Sequence, residues 1–239
     1  MNALSVLELP LYWEMANAEK IALLNILNEI RPTIAIEIGT KSGGSLQLLS
    51  AFCERVYSLD IDPAVTTLKS NFANVEFIIG DSKETLPQLL KDLSASNTQP
   101  QFILIDGDHS CEGVRCDIEN ILKISIAVPL IVFMHDSFNP ECRRGMLEVN
   151  YESYNFVEMI DLDFVQGTYS PSEKTSGEMW GGFGLISLKP VPQKKVPLVK
   201  QSSIYAYRTT YLLSKHYHYN PASLKAKLKS FLFKKLLTS

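Results

Sequence analysis

A chain of 239 residues with 46% hydrophobic content has room for one α/β domain with a large buried core plus appendages. No run of 18 apolar residues occurs, so no membrane-spanning helix is expected; the first residues also lack the basic region and apolar core of a signal peptide, and cytoplasmic residence is the expectation. The net charge of −3 hides a division: from Lys189 onward there are 11 Lys/Arg and no Asp/Glu, leaving 12 basic against 26 acidic residues in the body.

Residues 11–30 set Leu23, Ile26, Leu27 and Ile30 at helical spacing, and Arg31–Pro32 stops that helix. Such a helix covers the ligand edge of the domain, pairs with a second copy in a homo-oligomer, or simply packs on the sheet. Strands are predicted at about 33–38, 55–60, 75–80, 101–106 and 129–134, alternating with helices at about 44–53, 63–72, 83–93 and 111–124. Residues 94–100 read as a surface loop. After the fifth strand come a short helix (140–151) and a closing pair of strands in 155–164 and 180–188. Repeated βαβ units of this kind give a Rossmann-like, doubly wound, mostly parallel seven-stranded sheet with helices on both faces. The polar, turn-rich stretch 168–180 is either a substrate lid or variable surface. Beyond Lys189, residues 191–197 form an extended linker, followed by amphipathic helices at about 202–216 and 221–237. The second mixes Leu and Phe with Lys, which suits peripheral contact with an anionic inner-membrane face, an acidic partner, or a helix folded back on the acidic body. The chain therefore divides into an N-terminal helical cap (1–31), an α/β domain (32–189) and a basic tail (190–239).

The chemistry gathers at the strand ends. Residues 34–43, I-A-I-E-I-G-T-K-S-G, run from an apolar strand into a small-residue turn before a helix opening at Ser45. Gly39 permits a tight turn and Gly43 lets a ligand approach the backbone; the dinucleotide fingerprint G-x-G-x-x-G is absent. The next strand ends on Asp60 and Asp62, about 20 residues on, where a doubly wound fold places an acid for ribose hydroxyls. The third ends on Asp81–Ser82, the fourth on Asp106 and the fifth on Asp136. All five ends fall on one carboxyl edge, where ligands bind in such sheets. Asp106 and Asp136, on neighbouring strands, are hard oxygen ligands suited to Mg²⁺. Cys53, Cys111, Cys116 and Cys142 have neither C-x-x-C nor paired metal spacing and read as reduced structural thiols.

As a set, E-I-G-T-K-S-G-G-S, S-L-D-I-D-P, G-D-S, I-D-G-D-H-S-C-E-G-V and F-M-H-D-S resemble the class I S-adenosylmethionine-dependent methyltransferases. The nearest likeness is the branch of macrocin-type sugar O-methyltransferases and the proteins labelled cephalosporin hydroxylases (methyltransferase domain 24 type), over roughly residues 30–188. The resemblance implies S-adenosylmethionine as cofactor. Gly39, Thr40, Ser42 and Gly43 would pass under its methionine part, with Glu37 near the amino group. Asp60 would take the ribose hydroxyls, with Asp62 as the alternative, and Asp81 with Ser82 would face the adenine; Asp106 would lie at the same edge. It further implies O-methylation, Mg²⁺-assisted, of a small-molecule, natural-product or glycan acceptor.

In the sugar-methylating relatives a general base lies in the loop after the fourth strand, which here offers His109 and Asp108. His109 titrates near neutrality and is the first choice; its alternative role is to cap the following helix. The metal set implied by the resemblance is Asp106 and Asp136 with a third ligand beside the latter. That neighbour is Ser137 here, with His135 on the other side, where an acid or amide is usual. A metal-free site, with both carboxylates hydrogen-bonding the acceptor directly, is the competing expectation. Arg143 and Arg144 stand where they either meet an acidic acceptor or line a solvated helix face. No N/D-P-P-Y-like motif for a base amine follows the fourth strand, which argues against nucleic acid as substrate.

Overall fold

A computed structural model describes residues 5–170, 172–193 and 198–219. Its strands are β1 (Ile34–Ile38), β2 (Arg55–Asp60), β3 (Val75–Ile79), β4 (Phe102–Ile105), β5 (Leu130–His135), β6 (Val157–Val165) and the two-residue β7 (Thr168–Tyr169) and β8 (Met179–Trp180), closed by β9 (Phe183–Leu188). The helices are α1 (Asn17–Ile30), α2 (Leu46–Phe52), α3 (Ser82–Ala95), α4 (Cys111–Leu122), α5 (Pro140–Glu148), α6 (Ile204–Leu213) and α7 (Lys215–Tyr219). The main sheet runs β3-β2-β1-β4-β5-β9-β6; β1–β5 are mutually parallel, and β9 runs antiparallel between β5 and β6. The order reverses between β1 and β4, so the crevice for a ligand opens at their carboxyl ends.

Alternation within the strands builds two cores. Ile34, Ile36, Ile38, Ile103 and Ile105 face α3 and α4, whose Leu86, Leu90, Ile118 and Ile121 cover them. Ala35, Val56, Phe102, Leu104 and Phe133 face the other way, onto Leu23 and Leu27 of α1 and Leu46 and Leu49 of α2. A strand buried on both faces must read as a near-continuous apolar run, which is how β4 reads throughout and β1 reads apart from Glu37. Residues 63–71, expected as an α-helix, wind as a 3-10 helix. Its two threonines bond back three residues, Thr66 Oγ1 to the Pro63 carbonyl (2.7 Å) and Thr67 Oγ1 to that of Ala64 (2.8 Å), which suits the tighter turn.

The C-terminal segment is fastened to the body. Lys200 bridges Asp161 on the free edge of β6. Buried Arg143 of α5 pairs with Asp163 (2.8 Å), donates to Gln201 Oε1 (3.0 Å) and lies 4.2 Å from the Tyr207 ring centre. Arg143 is therefore closed to an acceptor; exposed Arg144 pairs with Glu141 and Glu148 of its own helix. The β7–β8 hairpin, which forms the 168–180 stretch, leans on α6 and α7 through Tyr169 Oη to the Thr210 carbonyl (2.9 Å) and the Lys215 amide to the Gly177 carbonyl (2.8 Å). All four cysteines are free. No helix among the described residues is long and apolar enough to cross a membrane. The expected helix at 221–237 and most of the linker at 191–197 lie outside the described residues.

Candidate active site

The glycine turn sits between β1 and α2. Gly39 (φ 89°) has no room for a Cβ, which would run into the Asp106 carbonyl just after β4. Gly43 (φ 74°) packs against Leu68 and Leu11, and Gly44 against Trp13. The turn is covered from the N-terminal side: Leu11 and Gln47 exchange hydrogen bonds (2.8 and 3.2 Å), and Lys41 pairs with Glu14. Ser42 lies exposed at its tip.

The acids expected to hold a ligand here also hold the turn. Asp60 Oδ2 accepts from the Thr40 (2.8 Å) and Lys41 (3.0 Å) amides, and its Oδ1 from the Asp62 amide (2.8 Å). Thr40 Oγ1 bonds the Ser58 hydroxyl. Glu37 is fully buried and accepts from Ser45 Oγ (2.5 Å); burial raises its carboxyl from 4.5 to about 8. Asp62 caps the 3-10 helix through the Ala64 amide (2.9 Å), and Asp81 caps α3 through the Lys83 amide (2.9 Å). Ser82 opens α3 near Asp117 of α4, which burial raises to about 6.

One strand over, four side chains converge. Asp106 follows β4, His135 ends β5, and Asp136 turns out of β5 with φ 56°. His135 Nδ1 lies 2.9 Å from Asp106 Oδ1 and 3.3 Å from Asp136 Oδ2. His109 Nε2 lies 3.5 Å and 3.0 Å from the same two oxygens. Asp106, His109 and Asp136 thus bring three metal-capable atoms within 4.8 Å of one another. Ser137, the expected third ligand, has a buried Oγ with no hydrogen bond, close to Gly182, and His109 stands with the two carboxylates.

These contacts bear on both candidates for the general base, His109 and Asp108. Hydrogen bonds to Asp106 and Asp136 push His109 from 6.5 to about 10, against the effect of burial. Burial opposes charge on His135, yet Asp106 and Asp136 outweigh it and carry it well above its ordinary value. Burial would raise Asp136, but the two imidazoles hold it far below the carboxylate range. Asp108 does not join the cluster. Its oxygens accept from the Ser110 amide and hydroxyl (both 2.9 Å); these bonds outweigh burial and hold it low, as a stay for the start of α4.

Sequence reading missed two parts of this site. Buried Glu19, in the first turn of α1, reaches His135 Nε2 with Oε1 (3.0 Å) and also accepts from the Gly182 (2.6 Å) and Ala16 (2.5 Å) amides. The Gly181–Gly182 pair (φ 72° and 82°) brings those amides in, Gly181 donating to Asp136 Oδ1 (2.5 Å). Next to it, the Trp180 ring meets His109 edge-on at 5.3 Å, so the hairpin borders the cluster.

A methyltransferase-domain family profile matches residues 36–137. No curated protein matches the chain in sequence. Among solved structures it is similar to an O-methyltransferase from Bacillus cereus in complex with SAH (18% identity, 78% of this chain and 90% of that one, TM-score 0.53). It is likewise similar to the O-methyltransferase TomG from Streptomyces achromogenes, involved in tomaymycin synthesis and in complex with SAM (16%, 78% and 86%, 0.54). A third is the cofactor-bound protein Rv0187 from MTB (20%, 79% and 88%, 0.54). Identities this low speak to the fold. The family match thus covers the segment from Ile36 to Ser137, on a sheet of the Rossmann-like, doubly wound order described above.

Proposed function

We propose that the chain transfers the methyl group of S-adenosylmethionine to a hydroxyl of a sugar-containing or polyketide-like small molecule or glycan, assisted by a divalent cation. The observation that carries this reading is the pairing, on one sheet edge, of a glycine turn backed by Glu37 and Asp60 with the carboxylates Asp106 and Asp136 on the next strands. Relatives of the same fold that bear the name O-methyltransferase, in complex with SAH or SAM, support it.

Glu37, Asp60 and the turn Gly39–Gly43 would hold the cofactor, with Asp81 and Ser82 toward its adenine; bound there, it supplies the methyl group on a sulfonium. Asp106, His109 and Asp136 fit a divalent cation, which would lower the pKa of the acceptor hydroxyl. The chain's own part is alignment, which can supply several kcal/mol of the barrier. Asp106, the more open carboxylate, would hydrogen-bond the acceptor hydroxyl, whose proton would pass to solvent water on the exposed His109 side. Trp180 supplies an aromatic wall beside it, suited to a sugar or aromatic ring.

Calorimetric titration of S-adenosylhomocysteine tests the reading, together with transfer of labelled methyl from S-adenosylmethionine to a catechol or glycoside. Wild-type protein should bind, and Asp60→Ala should weaken binding at least tenfold with its melting temperature monitored alongside. Absence of binding by the wild type would remove the proposal.

A further inference from the structure

Resting on the divalent-cation part of that reading, we propose that the site selects a nitrogen-accepting transition ion of the iron-to-zinc class over Mg²⁺, with His135 and His109 as ligands beside Asp106 and Asp136, and Glu19 as the residue that positions His135.

Four donor atoms carry this. Two carboxylate oxygens and two imidazole nitrogens stand 2.9, 3.0, 3.3 and 3.5 Å apart across their four oxygen–nitrogen edges. Metal–ligand bonds of about 2.1 Å put neighbouring donors on an ion about 3 Å apart. Asp106, His109 and Asp136 hold their donor atoms within 4.8 Å of one another, and His135 Nδ1 stands beside both carboxylates. The composition of the cluster argues against Mg²⁺, which takes oxygen ligands, whereas imidazole suits iron, nickel, copper and zinc.

The far side of His135 completes the pattern. A metal-binding imidazole usually donates its other N–H to a carboxylate, which fixes its tautomer and aim. Glu19 Oε1 sits 3.0 Å from His135 Nε2, and both Glu19 oxygens are pinned by backbone amides. With Nε2 carrying the proton toward Glu19, Nδ1 is left with its lone pair, 2.9 Å from Asp106 Oδ1 and 3.3 Å from Asp136 Oδ2. His109, with 42% of its side chain exposed, leaves the cluster open on the acceptor side.

The test is optical, on full-length metal-free protein titrated with Co²⁺ and followed by its visible absorption, with Mg²⁺ and Zn²⁺ as competitors. One Co²⁺ per chain with bands of nitrogen ligation is expected, displaced by Zn²⁺ and unmoved by millimolar Mg²⁺. Glu19→Gln should weaken Co²⁺ by about 10–100-fold and shift the bands; His135→Ala should abolish them. Displacement by Mg²⁺, or no Co²⁺ uptake while S-adenosylhomocysteine still binds, would overturn the inference and leave both imidazoles as plain hydrogen-bond donors to the carboxylates. Loss of S-adenosylhomocysteine binding in wild-type protein strikes the methyltransferase reading instead, so the two failures are distinguishable.

Discussion

Glu37 is the one acid of the turn held entirely out of water, and burial keeps its proton until about pH 8. A ligand that brings an ammonium group there favours the carboxylate, so binding at neutral pH should release a proton. Affinity for S-adenosylhomocysteine should then rise by up to about tenfold per pH unit between pH 6 and 8. Calorimetry in buffers of different ionisation enthalpy reads that proton directly, and Glu37→Gln should remove it. The sign for stability is the opposite. The unfolded chain loses this proton near 4.5 and the folded chain near 8, so the unliganded fold loses stability as pH rises through that window. Glu37→Gln should flatten this part of the melting-temperature profile.

At the scale of elements, the ion pair between α5 and β6 ties the C-terminal helices to the body, and through them the hairpin that borders the site. Arg143 and Asp163 are both buried, so removing one partner strands the other's charge. Arg143→Met should cost about 3–5 kcal/mol in chemical denaturation and expose residues 201–219 to limited proteolysis. Arg143→Met with Asp163→Leu should recover much of that loss, because no charge is then left unpaired. None of this clamp was legible in the sequence, where Arg143 and Arg144 look alike. The strands were legible, since a parallel strand buried on both faces must be a short apolar run, and β2 was delimited correctly from R-V-Y-S-L-D alone. Asp106 and Asp136 were legible as neighbours because alternating βαβ units fix where strand ends fall. Glu19 was not: its bond to the Gly182 amide spans 163 positions, and a glutamate in the first turn of a helix ordinarily faces solvent. His135 was visible but looked like an interruption of an oxygen site, because its role depends on that unseen carboxylate behind it.

At the scale of the whole molecule, the acidic body and basic tail set opposite expectations for an anionic surface. The body should be repelled, so any attachment has to come from the tail. Two features favour attachment. α6 leaves Tyr205, Leu212 and Leu213 exposed, and the chain continues into 220–239, where Leu224, Leu228, Leu232 and Leu236 recur at four-residue spacing among five lysines and no acid. Residues up to 219 hold the hairpin, so the informative deletion is confined to 220–239. The full chain should sediment with phosphatidylserine vesicles at low salt and release at about 0.5 M salt, because surface charges are then screened beyond about 4 Å. The deleted chain should stay in the supernatant with its melting temperature unchanged. If instead the full chain ignores the vesicles and the deletion lowers the melting temperature, the tail is folded against the acidic body and the same lysines serve stability rather than attachment.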